Sequence, residues 1–303
     1  MSDFRARLRH LDEITALLYP ASAGPGRRPY AVVPSRLVPR RLVPRSRWLP
    51  GRRRLPHGPG TIEGHLGEVF GRRVRVVTYV RPARRANRKP VLAALGPGGE
   101  VLAFVKVGHN ELTRALVRHE STTLTTLAAV PLRVVAPPAV LYHGLWRDMD
   151  VLAVTPLPVA RARVRPALLA AAVEEIARLP VDGPAYCWHG DFAPWNMAAG
   201  PDGRLLVWDW ERFGAGVPLG FDALHHFFQR ALRRMPPRVA AEACLAHAGR
   251  TLEPFMVSSG PARETAVHYL ITLADRYERD GHRPLGPPSE WLTPVVDHQE
   301  VLR

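Results

Sequence analysis

The segment HGDFAPWN, residues 189–196, sets a carboxylate, Asp191, five positions ahead of an amide, Asn196, and thirteen residues later VWDWE ends an apolar run on a second carboxylate, Asp209. Phosphoryl transfer asks for such a set. It needs a carboxylate to orient and deprotonate an attacking hydroxyl, oxygen ligands for magnesium, and cations on the phosphates, while little covalent work falls to the protein.

The elements that must position these groups follow from the texture of the chain. From residue 1 to about residue 20 the apolar spacing predicts an amphipathic helix. Residues 21–60, with PSRLVPRRLVPRSRWLPGRRRLPHGPG and its near-repeat of RLVPR, are too rich in Pro, Gly and Arg for regular helix. They read as a surface-hugging or partly mobile extension, in preference to an arm for nucleic acid or anionic lipid. Beyond Thr61, RVRVVTYV, PVLAAL and VLAFVKVG predict three antiparallel strands, the last two joined through GPGGE. A helix over 112–128 and two further strands, VLYHGLW and DVLAVTPL, complete a small sheet. From Val159 the helical period takes over in RPALLAAAVEEIARLP, PLGFDALHHFFQRALRRM and PARETAVHYLITLADRYERD, interrupted by a compact hairpin that carries HGDFAPWN and VWDWE. The expected class is α+β: residues 1–60 an Arg/Pro-rich extension, 61–155 a small antiparallel β lobe, and 156–303 a larger, mainly helical lobe.

Composition narrows the partners. The 303 residues carry a formal charge of +15, and the excess is uneven: residues 1–60 hold 13 Arg against 3 acids, residues 236–303 only 7 Arg against 9 acids. Of the 42 basic residues only Lys89 and Lys106 are lysine, a bias that with abundant Ala and Pro points to GC-rich coding sequence rather than phosphate binding. Nucleic acid is therefore not read as the primary partner. No run approaches the roughly 18 apolar residues of a membrane span, and the N-terminus lacks a signal-peptide core, so a cytoplasmic location is expected. Cys187 and Cys244 lack the number and spacing of a disulfide framework or zinc site and read as reduced, buried thiols.

The Asp191 to Asn196 interval is that of the catalytic Asp and metal-binding Asn in a kinase catalytic loop. Together with Asp209 and the downstream GVPLGFDALHHF, it makes the sequence resemble the aminoglycoside phosphotransferase and choline kinase superfamily over residues 64–280. The resemblance implies a protein-kinase-like two-lobed fold and an enzyme that moves the terminal phosphoryl group of magnesium-bound ATP or GTP onto a small molecule's hydroxyl, such as a sugar, amino alcohol or aminoglycoside. It implies Asp191 as catalytic base, Asn196 and Asp209 as magnesium ligands, and His189 with Gly190 as the frame of the loop. Lys106 on the third strand of the small sheet, with Glu120 fourteen residues on along the helix, fits the lysine that holds the α and β phosphates and its glutamate partner. In DVLAVTPLP, Val154 would guard the adenine pocket, and the Thr155 carbonyl and Leu157 N–H would face the base.

Several features depart from that pattern or stand beside it. The loop expected over the phosphates is RPARRANRK instead of glycine-rich, so Arg84, Arg85 or Arg88 would reach them with side chains. The tail has one extra residue before Asp222 and Ala223 before Leu224, and Asp222 reads as structural. Trp195 and Trp210 read as core packing, and His225 and His226, without ligand-spaced partners, as packing or cleft residues rather than a metal site.

Overall fold

Alternating β-branched residues become strands wherever that pattern is strong, and the computed structural model describes residues 3–24, 26–33, 40–44, 53–80, 88–180, 186–281 and 284–300. The chain forms two compact units, residues 1–121 with 139–156, and 122–138 with 157–303.

The first unit is built on one sheet. Helix α1 (Asp3–Leu18) leads into β1 (Gly26–Val33), β2 (Arg41–Pro44) and β3 (Arg53–His57), then α2 (Ile62–Val69). The predicted strands follow as β4 (Arg75–Tyr79), β5 (Val91–Leu95) and β6 (Val101–Gly108), then α3 (Glu111–Leu127). The short β7 (Val135–Ala136) belongs to the second unit, and β8 (Val140–Trp146) and β9 (Met149–Val154) return to the first. All pairs are antiparallel in the order β3-β1-β2-β4-β5-β6-β9-β8.

The described residues before Thr61 are thus not an extension over the surface: they supply α1 and three strands of this sheet. Leu11, Ile14 and Leu18, spaced three and four apart on α1, are buried with Tyr30 and Leu42 among Val76, Leu92 and Val105. A buried polar chain fastens the segment. The Tyr30 hydroxyl donates to Glu63 of α2, which also accepts from the backbone N–H of Val76 at 2.9 Å, and Tyr19 and Tyr30 lie hydroxyl to hydroxyl at 3.4 Å.

In the second unit α4 (Pro166–Ala177) starts on a proline, where a missing N–H costs no helical bond. Its Glu175 accepts from the backbone N–H groups of Arg133, Val134 and Val135, seating β7 against β12 (Leu205–Val207). Strands β10 (Tyr186–Trp188) and β13 (Gly214–Val217) pair, as do β11 (Met197–Ala199) and β12, joined by the predicted PDG turn. Helices α5 (Phe221–Ala231), α6 (Pro237–Ala246), α7 (Ala248–Leu252) and α8 (Ser259–Arg279) enclose Phe221, Leu224, Phe228, Tyr269 and Leu273, with Trp291 closing the cluster. The architecture is α+β, one unit mainly sheet and the other mainly helix. No described helix is long and apolar enough to cross a membrane, and both cysteines are free and buried.

Candidate active site

The candidate residues of the second unit lie in the turns between β10 and β13. After β10 the chain must reverse within two residues, and Gly190 does this at φ +79°, where a Cβ would lie 2.1 Å from the Arg212 carbonyl oxygen. Glycine is the residue this approach admits. His189 is fully buried, accepts the Asp191 backbone N–H on Nδ1 at 3.2 Å, and meets Trp210 edge to face at 4.6 Å. Burial holds its pKa down at about 4, so at neutral pH the ring carries one proton, on Nε2.

Asp191 and Asn196 converge. Asn196 Nδ2 donates to the Asp191 backbone oxygen and to its Oδ2, both at 2.9 Å, which leaves Asn196 Oδ1 outside this pair of bonds. The antiparallel ladder of β11 and β12 brings the chain back alongside, with the Trp208 N–H donating to the Asn196 carbonyl at 3.1 Å, and Asp209 follows directly. Asp209 is buried and sits at φ +75°, a left-handed conformation that aspartate adopts more readily than most residues and that marks functional sites. Its charge acts on both Asp191 and His189. The sequence-predicted trio is therefore gathered in one place. Two hard oxygen donors beside a second carboxylate fit magnesium, which takes oxygen ligands and would relieve the repulsion between the two acids.

Two helices hold the loop from beneath. Asp222, in the first turn of α5, accepts the His189 N–H at 2.7 Å and the Gly190 N–H at 3.3 Å, which gives it the structural role expected of it. Burial pushes its carboxyl up to about 7 despite those bonds. Arg276 of α8 donates to the Gly190 carbonyl and lies over the Trp188 ring, 5.5 Å from its centre. One turn beyond Asp222, His225 places Nε2 3.1 Å from Asp191 Oδ1, and its Nδ1 lies 3.1 Å from the Tyr269 hydroxyl. Burial raises the Asp191 carboxyl, but the His225 bond, with the Arg276 charge, outweighs it and sets the pKa below the usual carboxylate range. Of the two roles the sequence offers His225, packing or cleft residue, the contact with Asp191 fits the second. Its signal was the spacing: Asp222 and His225, at i and i+3, share one face of α5.

In the first unit, Lys106 Nζ meets both Glu120 oxygens, at 2.5 and 2.6 Å, with both side chains buried. Lys106 is set by the β6 register between Val91 and Leu152, and Glu120 by α3. Helix α3 is fixed to β9 by Arg114 and Arg118, whose Nε atoms reach the buried Asp150 at 2.8 and 3.0 Å. Burial raises the Asp150 carboxyl, but the two guanidiniums outweigh it and hold the group below its ordinary value. Gly108 lets β6 end against the start of α3, where a Cβ would lie 2.7 Å from the Arg114 Cα. Val154 ends β9, buried, and Thr155 closes the strand pair by donating to the Ala139 carbonyl and accepting the Ala139 N–H on its hydroxyl, both at 2.9 Å. The Leu157 carbonyl, in the second unit, accepts from the Val159 N–H at 3.0 Å. Arg88 is exposed, and its charge acts on His10 of α1; Arg84 and Arg85 lie outside the described residues. Trp210 is core, its Nε1 donating to the Val207 carbonyl, whereas Trp195 is 39% exposed and does not pack there.

No family model and no curated protein matches the sequence. Among solved structures the chain is similar to the ADP-bound aminoglycoside phosphotransferase APH(2'')-Ib, at 12% identity and TM-score 0.47 over 70% of this chain and 88% of that one. A chain from Haemophilus somnus 129PT, provisionally assigned as a fructosamine-3-kinase, matches at 13% identity and TM-score 0.46 over 72% and 90%. The gentamicin complex of APH(2'')-IIa matches at 14% identity and TM-score 0.42 over 69% and 95%.

Proposed function

We propose that this chain is a phosphotransferase of the aminoglycoside phosphotransferase and choline kinase type, passing the terminal phosphoryl group of ATP or GTP to a hydroxyl of a small molecule. The observation that carries the reading is the Asn196 clamp on Asp191. One side chain of a single tight turn bonds both the backbone and the carboxylate of Asp191, with Asp209 delivered beside them by the β11–β12 ladder.

Asp191 orients the acceptor hydroxyl and takes its proton as the oxygen attacks. Its depressed pKa keeps the carboxylate ionised and ready. Asn196 through Oδ1 and Asp209 through its carboxylate would hold magnesium, which when bound neutralises the phosphate oxygens. In the first unit, Lys106, fixed by Glu120, would take the α and β phosphates, with Arg88, Arg84 or Arg85 adding side-chain contacts. Val154, the Thr155 carbonyl and the Leu157 N–H would face the purine.

The acceptor is a sugar, an amino alcohol or an aminoglycoside. Of the C-terminal acids that could favour a polycation, Asp280 is already paired with Arg212, which weakens the polycationic choice. Purified protein screened with hydroxylated metabolites and aminoglycosides for stimulated nucleotide consumption, with Asp191→Asn as blank, tests the reading. An acceptor-dependent rate as high in the variant as in the native protein ends it.

A further inference from the structure

Asp191 is bound on both carboxylate oxygens, and the second bond comes from a residue that the expected set does not contain. Oδ2 takes the Asn196 amide, while Oδ1 takes His225 Nε2 at 3.1 Å. His225 is fully buried, as is Tyr269, whose hydroxyl lies 3.1 Å from Nδ1. The protons on this chain follow from valence. An ionised carboxylate can only accept, so Nε2 carries hydrogen; a neutral ring then presents a lone pair at Nδ1, and the Tyr269 hydroxyl donates to it. Burial, with the charge of Arg276, disfavours a doubly protonated ring, and burial likewise keeps the Tyr269 phenol protonated.

We infer that His225, held in its Nε2–H tautomer by the Asp191 carboxylate and seated by Tyr269, is a positioning residue that fixes the orientation of the Asp191 carboxylate for the attacking hydroxyl. The inference rests on the reading of Asp191 as proton acceptor. Donors on two different oxygens oppose rotation of the carboxylate about its Cβ–Cγ bond, because any intermediate angle loses both. The side chain stays 30% exposed, so lone pairs remain for a substrate. The same two helices hold the backbone of the loop: α5 through Asp222, one turn before His225, and α8 through Arg276, two turns after Tyr269. Main chain and side chain of the turn are therefore registered to one support. Preorganisation of this kind matters because a displacement of about 1 Å at a reacting group costs about 100-fold in rate.

The test pairs a spectroscopic measurement with kinetics. In protein labelled with ¹⁵N-histidine, His225 should show a protonated Nε2 and an unprotonated Nδ1, and Asp191→Ala, which removes the acceptor at Nε2, should admit the other tautomer. A native Nδ1–H ring overturns the inference. With an acceptor in hand, His225→Leu should lower kcat by about 100-fold with KM for nucleotide unchanged. His225→Gln, whose amide nitrogen can stand where Nε2 stood, should recover most of the loss, and Tyr269→Phe should cost about 2- to 10-fold. Equal losses in His225→Gln and His225→Leu, tracking their melting temperatures, would mean that the ring only fills the core. Absence of turnover in the native protein with every acceptor sinks the assigned reaction, while the tautomer measurement still decides the arrangement of His225.

Discussion

Arg276 Nη1 donates to the Gly190 carbonyl oxygen at 2.5 Å across 86 residues of chain, tying α8 to the turn that carries Asp191. The loop that carries Asp191 is therefore as much a product of the C-terminal helices as of its own sequence, and any chemistry at Asp191 should respond to changes in either.

Replacing Asp191 by Asn removes the proposed proton acceptor but keeps the shape and one carbonyl oxygen. Turnover should fall by about 10²- to 10⁴-fold while binding of the magnesium nucleotide, followed calorimetrically, stays near native. An equal collapse of nucleotide binding would place Asp191 in the nucleotide site instead of at the acceptor.

Gly190→Ala should be disproportionately harmful for one methyl group. The left-handed φ and the 2.1 Å approach to the Arg212 carbonyl force the loop to move, a strain of about 1–3 kcal/mol. Urea unfolding should register that loss, and activity should fall further than stability because Asp191 is the next residue. A variant with native midpoint and rate would show that the turn is looser than described.

The Lys106–Glu120 pair is buried on both sides, so cutting it from one side removes the opposite charge that the other holds at hydrogen-bond distance. Glu120→Ala should destabilise the protein by about 3–5 kcal/mol, more than Lys106→Met, which leaves a carboxylate able to take a proton. Both should raise KM for nucleotide. Lys106→Arg should not restore it, since the larger planar guanidinium cannot be seated in the buried space that holds a compact ammonium.

Acid should destabilise the fold between about pH 6.5 and pH 4. His189 and His226 have folded pKa values near 4, lowered by burial, so in that window the unfolded chain binds protons that the folded chain refuses; their contribution is complete above 6.5 and fades as pH falls. Asp222, raised by burial to about 7, works in the opposite direction, the folded state holding a proton that the unfolded state releases. Two against one leaves a net loss on acidification. Denaturation midpoints from pH 7 to pH 4.5 measure it: Asp222→Asn should steepen the fall, and His226→Asn should flatten it. A midpoint that rises steadily toward pH 4.5 would contradict these burial assignments.

Much of this was legible in the sequence where one signal dominated. The runs of β4, β5, β6, β8 and β9 are apolar and β-branched, and the intervening α3 has a helical period, so their order could be read directly. HGDFAPWN and VWDWE pointed to a candidate site because their oxygen-bearing residues stand at fixed intervals around a turn. The N-terminal strands were hidden because RRPYAVV, RLVP and RRLPH place Arg and Pro where a strand pattern expects alternation. Arginine stems can cover apolar surface with the charge in water, and proline is tolerated toward the edge of a sheet, so composition misled. Helix α2 was masked by two glycines in IEGHLGEV and is held by the contacts of Glu63 rather than by propensity. The link from His225 to Asp191 joins segments 34 residues apart, which no local pattern encodes, though its spacing from Asp222 pointed the right way.

The burial of Tyr30 and Leu42 beside Val76 and Leu92 changes how the arginine-rich beginning of the protein can be interrogated. Trimming the chain to start at Thr61 would strip the flank from β4, uncover the apolar interior and take Tyr30 and Arg28 away from the carboxylate of Glu63, so a shortened protein that no longer bound a polyanion would report collapse, not the loss of a contact. Neutralising exposed arginines one at a time, as with Arg27, Arg41 and Arg54, leaves the sheet whole and lets that basic surface be judged on its own.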